Sequence, residues 1–90
     1  MRFEWVPKKA AANLNKHGVS FQEAATVFGD PLAITFQDPD HSEDEERQVT
    51  LGVSSRKRLI VVSHTQREDR TRIISARPMD CKERVIYEED

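Results

Sequence analysis

The stretch LIVVSHTQREDRTRIISAR, residues 59–77, decides the fold because it predicts two β-strands joined by a short turn. Leu59–Val62 is apolar on both sides, which is typical of a central strand covered by a helix. The polar residues 66–69 predict the turn. The segment Arg70–Arg77 then predicts a strand in which Arg70 and Arg72, two residues apart, lie on one side of the pleat.

Alternation and capping patterns predict the remaining elements. Gly18 ends a first helix that is rich in helix formers, and Ser20–Glu23 is a capping-box pattern that begins a second one. Asp80–Glu83 repeats the capping pattern for a last helix. The predicted elements, in chain order, are a strand at 2–5, helices at 8–17 and 20–28, strands at 32–36, 47–53, 59–62 and 70–77, and a helix at 80–87. A polar loop is predicted over 37–46.

The order β-α-α-β-β-β-β-α predicts a single α+β domain over residues 1–90. Short turns between consecutive strands favour an antiparallel meander, with the two N-terminal helices packed on one face and a C-terminal helix at the end. The other face of the sheet would then be partly open, and the arginines could line it.

The charges are segregated along the chain although the formal net charge is only −2. Residues 47–77 contain eight Arg or Lys and two acids, a net charge of +6, whereas residues 1–46 carry −5 and residues 78–90 carry −3. A cationic strand region of this kind favours binding of a polyanion such as nucleic acid, although solvated surface arginines are the alternative.

Cysteine content and hydropathy exclude several classes of protein. The one cysteine, Cys81, rules out an internal disulfide and a cysteine-based metal site. The sequence has no apolar run long enough to span a membrane and no signal-peptide pattern, so we expect a cytoplasmic protein. Since 33% of the residues are charged, we expect a fold with little stability margin.

Several motifs together resemble the BrnT family of toxins from bacterial type II toxin–antitoxin modules. The two most specific blocks are Lys16–Phe21 and Arg72–Arg77. The supporting matches are Phe3–Trp5, Pro7–Lys9, Asn13–Asn15, Val27 with Phe28, Asp30 with Pro31, Glu46 with Arg47, Gly52, Glu83 with Arg84, and Tyr87. One position departs from the family pattern, since Val6 stands where Asp is usual before the helix proline.

The resemblance implies a RelE-like fold and a ribonuclease that inhibits translation and growth by cutting RNA, without a metal or other cofactor. It also implies neutralisation by a BrnA-type ribbon-helix-helix antitoxin in a hetero-oligomer, which we expect to be 2:2. Operator DNA would be bound only through the antitoxin. The alternative is a non-catalytic partner that modulates DNA binding by its antitoxin.

Metal-free RNA cleavage needs a base, an acid and cations around the phosphate, and histidine and arginine suit these roles. The candidate catalytic residues are His17, His64, Arg72 and Arg77, and the candidate RNA-binding residues are Lys16, Arg47 and Arg70. His17 could instead only cap its helix, and His64, on the same strand face as Ile60 and Val62, could be a packing residue. In a regular strand Arg77 would lie on the opposite face from Arg72. The strand either ends or twists so that Arg77 swings back to the site, or Arg77 anchors the last helix.

Overall fold

The computed structural model describes residues 1–38 and 46–89 and has the predicted order of elements. The elements are β1 (Arg2–Glu4), α1 (Pro7–His17), α2 (Phe21–Thr26) followed by a 3₁₀ turn (Val27–Gly29), β2 (Ile34–Gln37), β3 (Arg47–Val53), β4 (Leu59–Arg67), β5 (Arg70–Pro78) and α3 (Cys81–Glu89). Most of the predicted polar loop, residues 39–45, lies outside the described residues. None of the helices in the described part of the chain is long and apolar enough to cross a membrane.

The five strands form one mixed sheet in the order β1-β5-β4-β3-β2. Strands β2 to β5 are the predicted antiparallel meander. The additional feature is β1, which pairs in parallel with β5 at the sheet edge and places Arg2 beside Arg70 and Glu4 beside Arg72. The α+β fold is therefore confirmed, and β1 brings the start of the chain to the arginine strand.

The main core lies between the sheet and the two N-terminal helices. Its fully buried side chains include Phe21 from α2 and Ile60 and Val62 from β4. The buried amide of Asn13 ties α1 to β5, since its Nδ2 donates to the Ala76 carbonyl at 2.8 Å and its Oδ1 accepts from the Ala76 N–H at 3.0 Å. Gly52 is required here because a Cβ would lie 2.8 Å from Cγ1 of Val27.

The start of α2 uses half of its predicted capping box. The Ser20 hydroxyl accepts from the Glu23 N–H at 3.0 Å, as predicted. The Glu23 side chain turns instead into the protein, where Arg58 and the Ser54 hydroxyl bind its carboxylate. These hydrogen bonds, first of all that from Arg58, outweigh burial and lower the pKa of Glu23. The pair of buried Glu23 and partly exposed Arg58 fixes the β3–β4 turn against α2.

The last helix covers one end of the opposite sheet face. Met79 packs there on Leu51 and Val61, with Tyr87 against the same cluster. Asp80 and Glu83 complete the predicted capping box, since each side chain accepts from the other residue's backbone N–H, at 2.8 and 2.9 Å. Helix α3 therefore covers part of the sheet face that was predicted to be open, and the rest of that face stays accessible.

Candidate nucleic-acid interface

A β-bulge in the β4–β5 pair determines which arginines share a sheet face. Ser63 pairs with Ser75 but the next residue, His64, pairs with Ile73, so β5 contains one extra residue, Ile74. An extra residue reverses the alternation of side chains beyond it. Arg77, five residues after Arg72, consequently lies on the same face as Arg72 instead of the opposite one.

The strand registers divide this face into four rows of neighbouring residues. The rows are Ile34, Leu51, Val61 and Arg77; Phe36, Val49, Ser63 and Ser75; Arg47, Thr65, Arg72 and Glu4; and Arg67, Arg70 and Arg2. They contain six arginines and one carboxylate. Four predicted site residues, Arg47, Arg70, Arg72 and Arg77, are thus brought onto one face, which is strongly cationic.

Glu4 organises the arginines at the β1 edge. Its Oε2 accepts from Nε of Arg72 at 2.7 Å, and its Oε1 lies 3.8 Å from Nη1 of Arg70. Both guanidinium groups remain partly exposed, with side-chain exposures of 35% for Arg72 and 52% for Arg70. Together with Arg67, and with the carboxylates of Glu4, Glu68 and Asp69, they line a groove of about 350 Å³, called here the arginine groove. Phosphate oxygens suit the remaining N–H donors of such a groove.

Arg77 is held by the last helix. Its Nη1 and Nη2 donate to the two carboxylate oxygens of Glu83 at 2.8 and 2.7 Å, a bidentate arrangement. This pairing raises the pKa of Arg77, so its charge is fixed. Arg77 therefore does both: it lies on the sheet face that carries the other arginines, and it anchors α3.

His64 lies on the opposite face, inside the main core. Its exposed fraction is 5%, its Nε2 lies 2.7 Å from the Thr50 hydroxyl, and its ring packs edge-on against Phe28 at 4.8 Å between centroids. Burial lowers its pKa to about 4. A neutral, enclosed imidazole separated from the arginines by the sheet has the position of a packing residue.

His17 and Lys16 occupy the C-terminal turn of α1, as predicted. The next residue, Gly18, has a φ of 70°, and its carbonyl accepts from Nη2 of Arg58 at 3.0 Å. The end of α1 thus lies in the helix layer, near the β3–β4 turn. The structure does not bring His17 or Lys16 together with the arginine groove, which is at the β4–β5 end of the sheet.

Comparison with known proteins identifies the family. A family model described as the ribonuclease toxin BrnT of type II toxin–antitoxin systems matches residues 5–83. The chain belongs to the BrnT family. The crystal structure of the ribonuclease toxin BrnT of Brucella abortus has the same fold, with a TM-score of 0.68 and 20% identity over 89% of this chain and 97% of that one. No curated protein matches the sequence significantly.

Membership in the BrnT family makes this chain a ribonuclease toxin of a type II toxin–antitoxin system, and such a toxin has an antitoxin partner. Glu4 and Arg67, which line the arginine groove, were not among the site residues predicted from the sequence. The alternation of Phe3 and Trp5, which predicts core packing for both, also directs Glu4 to the other face. That signal could have identified Glu4 only if the pairing of β1 with β5 had been known.

Proposed function

We propose that this chain is a metal-independent endoribonuclease whose scissile phosphate binds in the arginine groove. The observation that carries the proposal is the strand register that places Arg67, Arg70 and Arg72 together on one accessible sheet face, with Glu4 beside Arg72. Membership in a family of ribonuclease toxins supplies the reaction class. The geometry supplies the cations that such a reaction needs.

In the proposed reaction, Arg70 and Arg72 donate N–H groups to the phosphoryl oxygens and stabilise the charge that builds on them. The Glu4 carboxylate lies beside both arginines, so a phosphate bound there places the adjacent 2′-hydroxyl next to a proton acceptor. We therefore assign the role of general base to Glu4: as it takes the proton, the 2′-oxygen attacks phosphorus, the bond from phosphorus to the 5′-oxygen breaks, and the 5′-oxygen takes a proton from solvent. The positions of His17 and His64 do not support the proton-transfer roles that the sequence suggested for them.

The proposal is tested with purified, antitoxin-free protein and RNA in excess EDTA. Arg72→Ala should lower the cleavage rate at least about 100-fold, since removing one preorganised donor costs roughly that much. Glu4→Gln should lower it about 100- to 10,000-fold. The parent should leave 2′,3′-cyclic or 3′-phosphate ends, which indicate attack by the 2′-hydroxyl.

The matched control is Arg56→Ala, which removes the same charge from the β3–β4 turn at the other end of the sheet. Its side chain is 73% exposed and only approaches Glu23 at 4.0 Å, so the fold should be retained and cleavage unchanged. Intact RNA from a parent sample shown to be folded would contradict the proposal.

We further propose that a BrnA-type ribbon-helix-helix antitoxin neutralises the toxin in a 2:2 complex and that operator DNA is bound only through the antitoxin. The result in the cell would be inhibition of translation and growth until the antitoxin binds. Co-purification with the antitoxin, followed by light scattering and an operator gel shift, tests these points. A 1:1 mass would overturn the stoichiometry.

A second candidate function is a non-catalytic partner that modulates DNA binding by the antitoxin. It is favoured by one observation: Arg72 and Arg77 are already paired with carboxylates, so the same face suits acidic side chains of a protein. In this case Arg72→Ala would weaken the complex, and the parent would cut no RNA. For the ribonuclease, the same variant would lose cleavage and still bind the antitoxin.

A further inference from the structure

A second groove, of about 290 Å³, lies beside the arginine groove on the same sheet face. Its floor is the row Phe36, Val49, Ser63 and Ser75, which runs straight across four strands. The rim includes Arg77 and Glu83 at one end and Asp38. We call this the serine groove. The neighbouring row along the strands, about 7 Å away, contains Arg72, so the two grooves adjoin.

The two serines of this groove have unused hydrogen-bonding capacity. Ser63 and Ser75 are half-buried neighbours, yet neither hydroxyl has a hydrogen-bond partner among residues 1–38 and 46–89. Other enclosed hydroxyls of the chain are bonded within it, for example those of Ser54, at 2.7 Å, and Thr65, at 2.7 Å. Two adjacent donor–acceptor groups at the floor of a groove are therefore available to a ligand.

Phe36 supplies an aromatic surface at the edge of the same groove. It lies on the edge strand β2, and 42% of it is exposed even though its side chain is large and apolar. Its row neighbour Val49 extends the apolar floor. An apolar wall with a few convergent polar groups is the composition of a small-ligand site, and an exposed aromatic ring is the usual stacking partner of an unpaired base.

The charges at the rim decide which part of an RNA strand would fit. Arg77 and Glu83 neutralise each other through their two hydrogen bonds, so the one cation among the described residues that line this groove is already paired. A neutral base needs no counter-charge, and its polar edge meets the hydroxyls of Ser63 and Ser75.

We propose that the serine groove binds one unpaired nucleobase of the RNA. The base stacks on Phe36, and the hydroxyls of Ser63 and Ser75 hydrogen-bond to its polar edge. This inference rests on the proposed function, since it makes the serine groove the base-selecting part of a site whose phosphate lies at Arg72. The groove would then determine which RNA sequences are cut.

Binding of uncleavable RNA tests the inference separately from catalysis. The probes are fluorescein-labelled 2′-O-methyl oligomers of adenine, cytosine or uracil, in which the attacking hydroxyl is blocked, and the readout is fluorescence anisotropy. The parent should bind the three oligomers with different affinities, since the two hydroxyls contact the polar edge by which the bases differ. Phe36→Ala should weaken binding of all three about tenfold, since stacking on one aromatic ring contributes about that factor.

The double variant Ser63→Ala/Ser75→Ala should instead bind the three oligomers with affinities that are closer to one another than those of the parent. Matched controls are Leu14→Ala, an exposed apolar residue on α1, and Ser55→Ala, an exposed serine of the β3–β4 turn. Both should bind as the parent does.

Variants at Phe36 and at the two serines that keep the parent's affinities and ratios would overturn the inference, as would a parent that does not discriminate between the oligomers. The EDTA cleavage assay reports on the proposed function independently. If the parent cuts RNA and the serine double variant cuts it with the same base preference, the inference about the serine groove is refuted and the proposed function stands. If the parent binds the oligomers selectively but cuts no RNA, the proposed ribonuclease activity is refuted and the inference about the serine groove stands.

Discussion

At the scale of single residues, His64 shows how burial changes the chemistry of a side chain. An exposed histidine titrates near neutral pH, but His64 is enclosed by Thr50, Phe28 and the core, which lowers its pKa from 6.5 to about 4. The folded protein therefore keeps this imidazole neutral at a pH where the unfolded chain protonates it. Protonation then favours unfolding.

The free energy of unfolding should consequently fall as the pH drops below about 6.5, by about 1.4 kcal/mol per pH unit, until the pH approaches the folded pKa. Urea unfolding at pH 7, 6 and 5 measures this slope. His64→Gln should flatten it while keeping a hydrogen bond to Thr50. The carboxyl of Glu23, whose pKa is lowered from 4.5, acts at lower pH and does not obscure the effect.

His17→Gln is the control, because it removes a histidine from the end of α1 and should leave the slope unchanged. RNA cleavage by His64→Gln gives a second readout. A folded variant with full cleavage activity would agree with a packing role, whereas a steep stability profile that survives the substitution would show that another group causes it.

At the scale of elements, the β4–β5 hairpin carries most of the arginine groove and has one strained position. Glu68, the first of its two turn residues, has a φ of 58°, a left-handed conformation that costs a non-glycine residue about 1 kcal/mol. Glu68→Gly should remove this strain and stabilise the protein by about 0.5 kcal/mol after the entropy cost of glycine. Thermal or urea unfolding measures the change.

Asp69→Gly is the matched control, since it removes the same charge from the next residue of the turn. Asp69 is not among the residues with positive φ, so this change should destabilise by about 0.4–1 kcal/mol. Equal effects of the two substitutions would mean that charge, and not backbone conformation, determines the stability of the turn.

The same hairpin shows what the sequence could and could not predict. Alternation and capping signals are local, and they correctly predicted the element order, the meander and the last capping box. Two features depend on long-range pairing and have no local signal. The bulge at Ile74 reverses the face of Arg77, and the parallel pairing of β1 brings Glu4 to Arg72, 68 residues away. Of the residues that line the arginine groove, the sequence therefore predicted Arg70 and Arg72 but not Arg67 or Glu4.

At the scale of the whole molecule, the chain has a formal net charge of −2 but presents a cationic sheet face. The segment with a net charge of +6, residues 47–77, forms β3, β4 and β5, the three central strands of the sheet. A polyanion approaching this face meets local cations and not the average charge. Binding of RNA should therefore depend strongly on salt despite the acidic total.

If three or four arginines neutralise phosphates, the logarithm of the RNA association constant should fall with the logarithm of salt concentration with a slope of about −2 to −3. Arg67→Gln, in the arginine groove, should reduce the magnitude of that slope by about 0.7, the contribution of one phosphate contact to a single strand.

Arg56→Gln makes the same change in net charge at the far turn and should leave the slope unchanged. Anisotropy titrations from 50 to 300 mM salt measure it, and equal changes in both variants would show that overall charge governs binding. A difference confined to Arg67→Gln would instead locate the phosphate contacts in the arginine groove, because only a released counterion at the contact itself changes the slope.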